Sequence, residues 1–195
     1  MKKPVAITLI LAGIGLVTLC GFASIVLIWT AASKTLPVAD SDIKTIVTAA
    51  DLVPYFDDYS PSLDYETFEK TQYLDQSVEL TYEYDSPDQN DPFISATVSY
   101  ELTKGDAAGV YLATWTFENI GLKAVDQNFQ LEELNSFYSL GDRSRFANIM
   151  YDGEPVGHLL LFQKENTVYS FTISGFLIED PSVWMELFDE RIQNL

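Results

Sequence analysis

The feature that most constrains this chain is an uninterrupted apolar segment near its start, residues 4–32, which contains no charged side chain. A helix needs about 20 apolar residues to cross the hydrocarbon core of a bilayer. In lipid, each backbone N–H and C=O group must find its partner within the segment, and a helix provides those partners. Lys2 and Lys3 precede the segment, and Trp29 and Lys34 lie near its other end, as is typical of membrane interfaces. The sequence therefore predicts one transmembrane helix.

Two other interpretations of this segment are a cleaved signal peptide and a lipoprotein signal. Residues 30–33 (Thr-Ala-Ala-Ser) have the small side chains of a cleavage site, but the apolar core before them is about twice as long as that of a signal peptide. Cys20 follows Leu19, whereas bacterial lipoprotein signals have a small residue there, and the apolar run continues beyond it. We therefore expect residues 1–34 to form a permanent transmembrane anchor, with Cys20 as a small apolar side chain within it.

The orientation of the anchor follows from the lysines at its two ends. Lys2 and Lys3 lie on the N-terminal side, and Lys34 and Lys44 follow on the other side. Lys and Arg near the ends of a membrane helix favour the cytoplasmic side, and the free amino terminus adds to the charge before the helix. We expect a single-pass protein of the cell membrane with its N-terminus cytoplasmic and its C-terminal domain extracytoplasmic.

The part of the chain after the anchor is strongly acidic. Residues 35–195 carry all 29 acidic side chains but only eight of the eleven basic ones. This balance argues against binding to nucleic acid, which requires a basic surface, and against lying flat on an anionic lipid surface. It is compatible with cationic partners, with divalent ions, or with solubility alone. Because the only cysteine lies in the anchor, disulfides and thiolate metal sites are excluded from this part.

Residues 35–195 divide into a predicted stalk and a predicted domain. Residues 35–58 have no sustained apolar face and are interpreted as a stalk with a short helix. Residues 59–195 are interpreted as an acidic extracytoplasmic α+β domain. In this domain, stretches of alternating or continuous apolar residues between turn signals predict five strands, at 78–84, 94–102, 146–151, 156–163 and 168–173.

Two helices are predicted beside the strands. Asp106 is expected to begin the first as its N-cap, Leu112 and Trp115 to lie on its apolar face, and Gly121 to end it. Pro181 is expected to begin the second helix. Strands grouped with two segregated helices predict an α+β fold, in which an antiparallel β-sheet is packed with helices.

This layout resembles that of PsbP/Mog1-like domains. The resemblance lies in Leu140-Gly141-Asp142, the paired strands that follow, the segment 166–171 (Asn-Thr-Val-Tyr-Ser-Phe) and the C-terminal helix. It covers roughly residues 76–194. The resemblance implies a helix-flanked antiparallel sheet that acts by binding or assembly, seldom by catalysis. The transmembrane anchor departs from the soluble lumenal members of this group.

No residue pattern predicts a catalytic centre. His158 is the only histidine, and it alternates with Leu160 and Phe162 in a predicted strand, which is typical of a structural histidine. No nucleophile-elbow sequence and no glycine-rich phosphate loop accompanies it. We therefore expect no enzymatic activity and no obligatory cofactor, although the many acids leave a carboxylate pair of the hydrolase type open.

Two groups of acidic residues are candidate binding sites. Asp85, Asp88, Asn90 and Asp91 fall within one predicted hairpin loop, and such hard oxygen ligands suit calcium, although an ordinary solvated turn has the same composition. A second group combines tyrosines with acids, as partner-binding surfaces do, although its aromatic side chains are equally suited to closing a core. Its members are Tyr55, Asp57, Asp58, Tyr59 and Tyr65.

These observations favour a membrane-anchored extracytoplasmic interaction module, an accessory or assembly subunit of a larger membrane protein complex. Its partners would be the lipid bilayer, through residues 4–32, and other membrane protein subunits. The alternatives are a calcium- or ligand-binding sensor built on the acidic loop, and an envelope hydrolase. The hydrolase would require an inward-facing carboxylate pair in a deep cleft.

Overall fold

The computed structural model describes residues 33–56, 59–88, 90–134 and 139–194. Its strands and helices, in chain order, are β1 (Lys34–Leu36), α1 (Asp40–Ile43), β2 (Glu66–Gln72), β3 (Val78–Asp85), β4 (Phe93–Tyr100), α2 (Lys104–Val125), β5 (Phe129–Glu133), β6 (Arg143–Tyr151), β7 (Glu154–Lys164), β8 (Thr167–Ser174) and α3 (Pro181–Asn194). Two 3₁₀ helices span Ala49–Tyr55 and Leu63–Tyr65. The predicted transmembrane segment lies outside the described residues. Within them, no helix has both the length and the apolar character needed to cross a bilayer.

The eight strands form one antiparallel sheet with the order β1-β2-β3-β4-β8-β7-β6-β5. The predicted antiparallel sheet packed with helices is thus confirmed, and the five predicted strands correspond to β3, β4, β6, β7 and β8. The bounds differ by up to three residues, since β6 begins at Arg143 and β4 ends at Tyr100. Leu102, which was expected in this strand, lies in the loop before α2 and is exposed.

The main core fills the space between one face of the sheet and α3. Trp184 and Phe188 of α3 are fully buried there. The Trp184 ring makes edge contacts with Phe146 and His158, at centroid distances of 5.2 and 5.3 Å. Aromatic side chains dominate this face because each removes a large apolar area from water and fits its neighbours edge to face. The helix begins at Pro181 as predicted, and the Asp180 carboxylate accepts a hydrogen bond from the Ser182 N–H at 2.9 Å.

The N-terminal part of the domain differs most from the prediction. Residues 35–58 were expected to form a stalk, but β1 pairs with β2, and Ile46, Val47 and Leu52 are at most 1% exposed in the main core. The chain here is held by distant hydroxyl groups: the Val47 N–H donates to Tyr169 Oη at 2.9 Å, and the Ala49 N–H donates to Tyr82 Oη at 2.8 Å. The described part of this segment, residues 35–56, therefore belongs to the folded domain.

Two ion pairs attach the same segment to the rest of the domain. Lys70 Nζ of β2 lies 2.8 Å from Asp42 Oδ1 of α1. Arg191 Nη2 of α3 lies 2.6 Å from Asp51 Oδ1 of the first 3₁₀ helix. The segment is thus held on both sides, by the edge of the sheet and by the C-terminal helix.

Helix α2 packs on the opposite face of the sheet, over β5, β7 and β8. Its N-cap is Thr103 and not Asp106, because the Thr103 hydroxyl accepts the Asp106 N–H at 3.2 Å. It also continues past Gly121, since Leu122 and Val125 pack against Leu159 and Phe129. Tertiary packing therefore outweighs the tendency of glycine to end a helix.

The Leu-Gly-Asp sequence holds the turn between β7 and β8. Gly141 has φ +60°, and a Cβ atom there would overlap the Gln163 carbonyl group. The Asp142 carboxylate accepts the Glu165 N–H at 3.0 Å and pairs with Lys104 at the start of α2. These contacts lower the pKa of Asp142 below its ordinary value, with the hydrogen bond to Lys104 as the largest cause.

Candidate functional site

The acidic loop between β3 and β4 does not gather its four candidate ligands around one point. The Asp88 carboxylate accepts both the backbone N–H and the side-chain amide of Asn90, at 3.0 and 2.9 Å. Asp91 Oδ2 instead accepts the hydroxyl of Tyr84, at 2.9 Å. Asp85 is exposed at the end of β3. Among the residues that the structure describes, no three His, Cys, Asp or Glu side chains are arranged to hold a metal ion.

The described members of the second candidate group, of tyrosines and acids, do not lie on one surface. Tyr59 is buried in the main core, where its ring lies 5.0 Å from that of Phe176. Tyr55 is half-buried and packs against the same core, while Tyr65 is exposed. Asp57 and Asp58 lie outside the described residues. Tyr59 was therefore wrongly assigned to a surface, because its aromatic ring closes the core.

His158 is a structural residue. It is buried beside Trp184, and its Nε2 accepts the Ile178 N–H at 2.9 Å. Burial lowers the pKa of His158 to about 4, so the ring is neutral near pH 7. The neutral ring fixes the segment that connects β8 to α3.

The outer face of α2 is the surface that the sequence pattern missed. We use this name for Gly109, Leu112, Ala113, Thr116 and Ile120, all of which are exposed. Leu112 is 52% and Ile120 60% exposed, although Leu112 was predicted to lie on the buried side. The buried stripe consists instead of Ala107, Tyr111, Thr114 and Leu122.

The outer face of α2 is also free of charge. Between Asp106 and Lys123 the only charged residue is Glu118, seven residues after Tyr111 and four before Leu122, which places it on the buried stripe. A Cβ atom added at Gly109 would meet nothing within 4 Å, so this side of the helix is open. The helix therefore presents an uncharged face of small and apolar residues, on a domain in which acidic side chains greatly outnumber basic ones.

Glu118 itself is half-buried between α2 and the sheet. Burial raises the pKa of its carboxyl group to about 7. A carboxyl group in such a position is protonated in a large fraction of molecules near neutral pH. Placing this carboxyl group in the buried stripe of α2 therefore costs less free energy than burying a permanent charge there would.

The part of the sheet that α2 leaves uncovered carries polar side chains. On this face Glu69, Thr81 and Thr97 lie side by side on β2, β3 and β4. Burial raises the pKa of Glu79 on the same face, and the neighbouring Glu69 adds to the effect, while a hydrogen bond from Tyr73 opposes it. The uncovered half is therefore polar and acidic, in contrast to the outer face of α2.

Comparisons of this chain with protein-family models, with curated proteins and with solved structures gave no match. The functional assignment therefore rests on the residues and geometry described above.

Proposed function

We propose that this chain is a membrane-anchored extracytoplasmic interaction module, an accessory or assembly subunit of a larger membrane protein complex. Residues 4–32 anchor it in the cell membrane, with the N-terminus cytoplasmic. The folded domain binds other membrane protein subunits and performs no catalysis. The arrangement of helices on both faces of an antiparallel sheet supports the resemblance to PsbP/Mog1-like domains, which we propose as the fold group.

The outer face of α2 is the observation that carries this proposal. Exposed apolar patches bordered by polar surface mark sites of interaction with other proteins. Here Leu112 and Ile120 are exposed two turns apart, with Gly109 and Ala113 allowing a close approach of a partner backbone. The domain carries a large excess of acids, so this face stands out by its lack of charge.

The position of the domain supports a partner within the same membrane. The first described strand begins at Lys34, two residues after the predicted span ends at Ala32. An extended chain covers at most about 3.6 Å per residue, so the domain is held beside the bilayer. Extracytoplasmic parts of neighbouring membrane proteins are therefore within its reach.

Purification of the full chain from its native membrane in mild detergent tests the proposal. We expect a partner at fixed stoichiometry with the natural chain and with Leu63→Glu, a control at an exposed leucine just before β2, a strand that α2 does not cover. The double variant Leu112→Glu/Ile120→Glu should lose that partner while remaining folded. Recovery of a monomer from the natural chain, or equal partner recovery with all three proteins, would contradict the proposal.

A further inference from the structure

One end of the sheet lies next to the point where the chain enters the domain. In the strand register, Lys34 of β1 pairs with Gln72 of β2. Gln72 pairs in turn with Val78 of β3, and Val78 pairs with Tyr100 of β4. The start of β1 therefore lies at the same end as the β2–β3 turn (73–77), the loop 101–103 and the β7–β8 turn (165–166). We call this the anchor-side end.

The turns of the anchor-side end contact one another. The Glu101 N–H donates to the Asn166 carbonyl at 2.9 Å, and the Asn166 amide donates back to the Glu101 carbonyl at 2.6 Å. Burial raises the pKa of Glu101, and the nearby charges of Asp75 and Asp106 raise it further. The β2–β3 turn is thus beside the loop before α2.

Two leucines project from this end. Leu74 in the β2–β3 turn is 56% exposed, and Leu102 in the loop before α2 is 62% exposed. Leucines at the tips of turns gain from contact with an apolar medium. Lys34 at the same end is exposed and offers its ammonium group to headgroup phosphates, whereas the ammonium group of Lys104 is paired with Asp142. The carboxylates of Asp75 and Glu101 make a strongly anionic surface unfavourable.

We propose that the anchor-side end rests on the surface of the bilayer, with Leu74 and Leu102 inserted among zwitterionic headgroups. This inference depends on the proposed anchoring through residues 4–32. Only Ser33 separates the predicted span from β1. The turns at this end of the sheet are therefore held within the length of a few extended residues from the membrane interface. The strands therefore stand away from the membrane, and the acidic β3–β4 loop lies at the far end.

The test uses the full chain in phosphatidylcholine vesicles. In a Cys20→Ala background, an environment-sensitive fluorophore is attached at Leu74→Cys or Leu102→Cys, and at Leu63→Cys as the control. Leu63 is 67% exposed and lies at the opposite end, just before β2. β2 and β3 span about 20–25 Å at roughly 3.3 Å per residue, which places the control well beyond the headgroups.

Lipids that carry a nitroxide near the headgroup should quench the labels at positions 74 and 102 at least about twofold more than the label at 63. Vesicle flotation after alkaline extraction is measured on the same samples. Flotation with equal quenching at all three positions, or with stronger quenching at 63, would overturn this inference while leaving the anchor in place. Loss of flotation would overturn the anchoring and this inference together.

Discussion

The two faces of the sheet bury different kinds of side chain. On the face covered by α3, aromatic rings form one continuous core that includes the N-terminal segment. On the other face, α2 covers only part of the sheet, and its packing includes Thr114 and the carboxyl group of Glu118. The first face therefore buries a continuous apolar core, whereas the second buries fewer apolar side chains beneath α2, whose outer face is where we propose that a partner binds.

Loss of Trp184 should have the largest effect. Trp184→Ala removes a fully buried ring that contacts Phe146, His158 and Phe188, and we expect a loss of about 3–5 kcal/mol in the free energy of unfolding. Leu112→Ala on the outer face of α2 should cost less than about 0.5–1 kcal/mol, because that side chain is exposed. Denaturant titration of both variants measures the contrast. Equal losses would show that Leu112 is as tightly packed as Trp184, and would contradict an exposed outer face of α2.

Gly141 allows a matched test of the Leu-Gly-Asp turn. Gly141→Ala combines the strain of a positive φ with overlap of the Gln163 carbonyl group, and we expect a cost of roughly 2–4 kcal/mol. Gly153 also has a positive φ, +83°, but its Cβ position is open, so Gly153→Ala should cost only about 1–2 kcal/mol. Thermal and denaturant unfolding compare the two. A smaller loss for Gly141→Ala would show that the turn can move away from β7.

Glu118 should give the second face a dependence on pH. Its pKa is about 7 in the folded protein and about 4.5 when unfolded, so the folded state binds more protons between these values. The free energy of unfolding therefore falls as the pH rises from about 4.5 to about 7. We expect a fall of roughly 1–2 kcal/mol, which allows for the partial exposure of this group.

The comparison variant for this prediction is Glu118→Gln. His158 has the opposite effect, because its pKa is lowered to about 4 and its protonation in acid favours the unfolded state. Subtracting the unfolding free energy of the variant from that of the natural protein at each pH isolates Glu118. A difference that does not change between pH 4.5 and 7.5 would show that the pKa of this carboxyl group is not raised by folding and that the group is exposed to water.

Calcium should have the smallest effect. Because the carboxylates of the β3–β4 loop are turned to Asn90 and Tyr84, we expect about 1 mM calcium to leave the unfolding temperature unchanged within error. A rise in that temperature that Asp88→Ala abolishes would instead favour the cation-sensor alternative.

The sequence predicted those elements whose pattern is local. Alternation in β3 and β4 marks strands with one face in the core, and Asp152-Gly153 marks the turn before β7. The N-terminal segment was missed because hydroxyl groups of Tyr169 and Tyr82, far away in the sequence, hold its backbone. No local periodicity records such bonds.

The outer face of α2 was missed for a different reason. Thr114 and Glu118 interrupt the buried stripe, so the pattern assigned Leu112 to the core although it is exposed. The sequence did contain a signal for the buried side, because Ala107, Tyr111 and Leu122 are spaced so that they fall on one side of a helix. Of the candidate site residues, the sequence identified the acidic loop as a turn, but it could not show where each carboxylate finds its hydrogen-bond partner.

Photo-cross-linking of the full chain in its native membrane determines whether the outer face of α2 contacts another membrane protein. A photoreactive residue replaces Ile120 on the outer face of α2 or, as the control, Leu63, which is exposed to a similar extent. We expect a cross-link from position 120 to a different membrane protein, and little or none from position 63. No adduct at position 120, equal adducts at both positions, or an adduct only between two copies of this chain would contradict it.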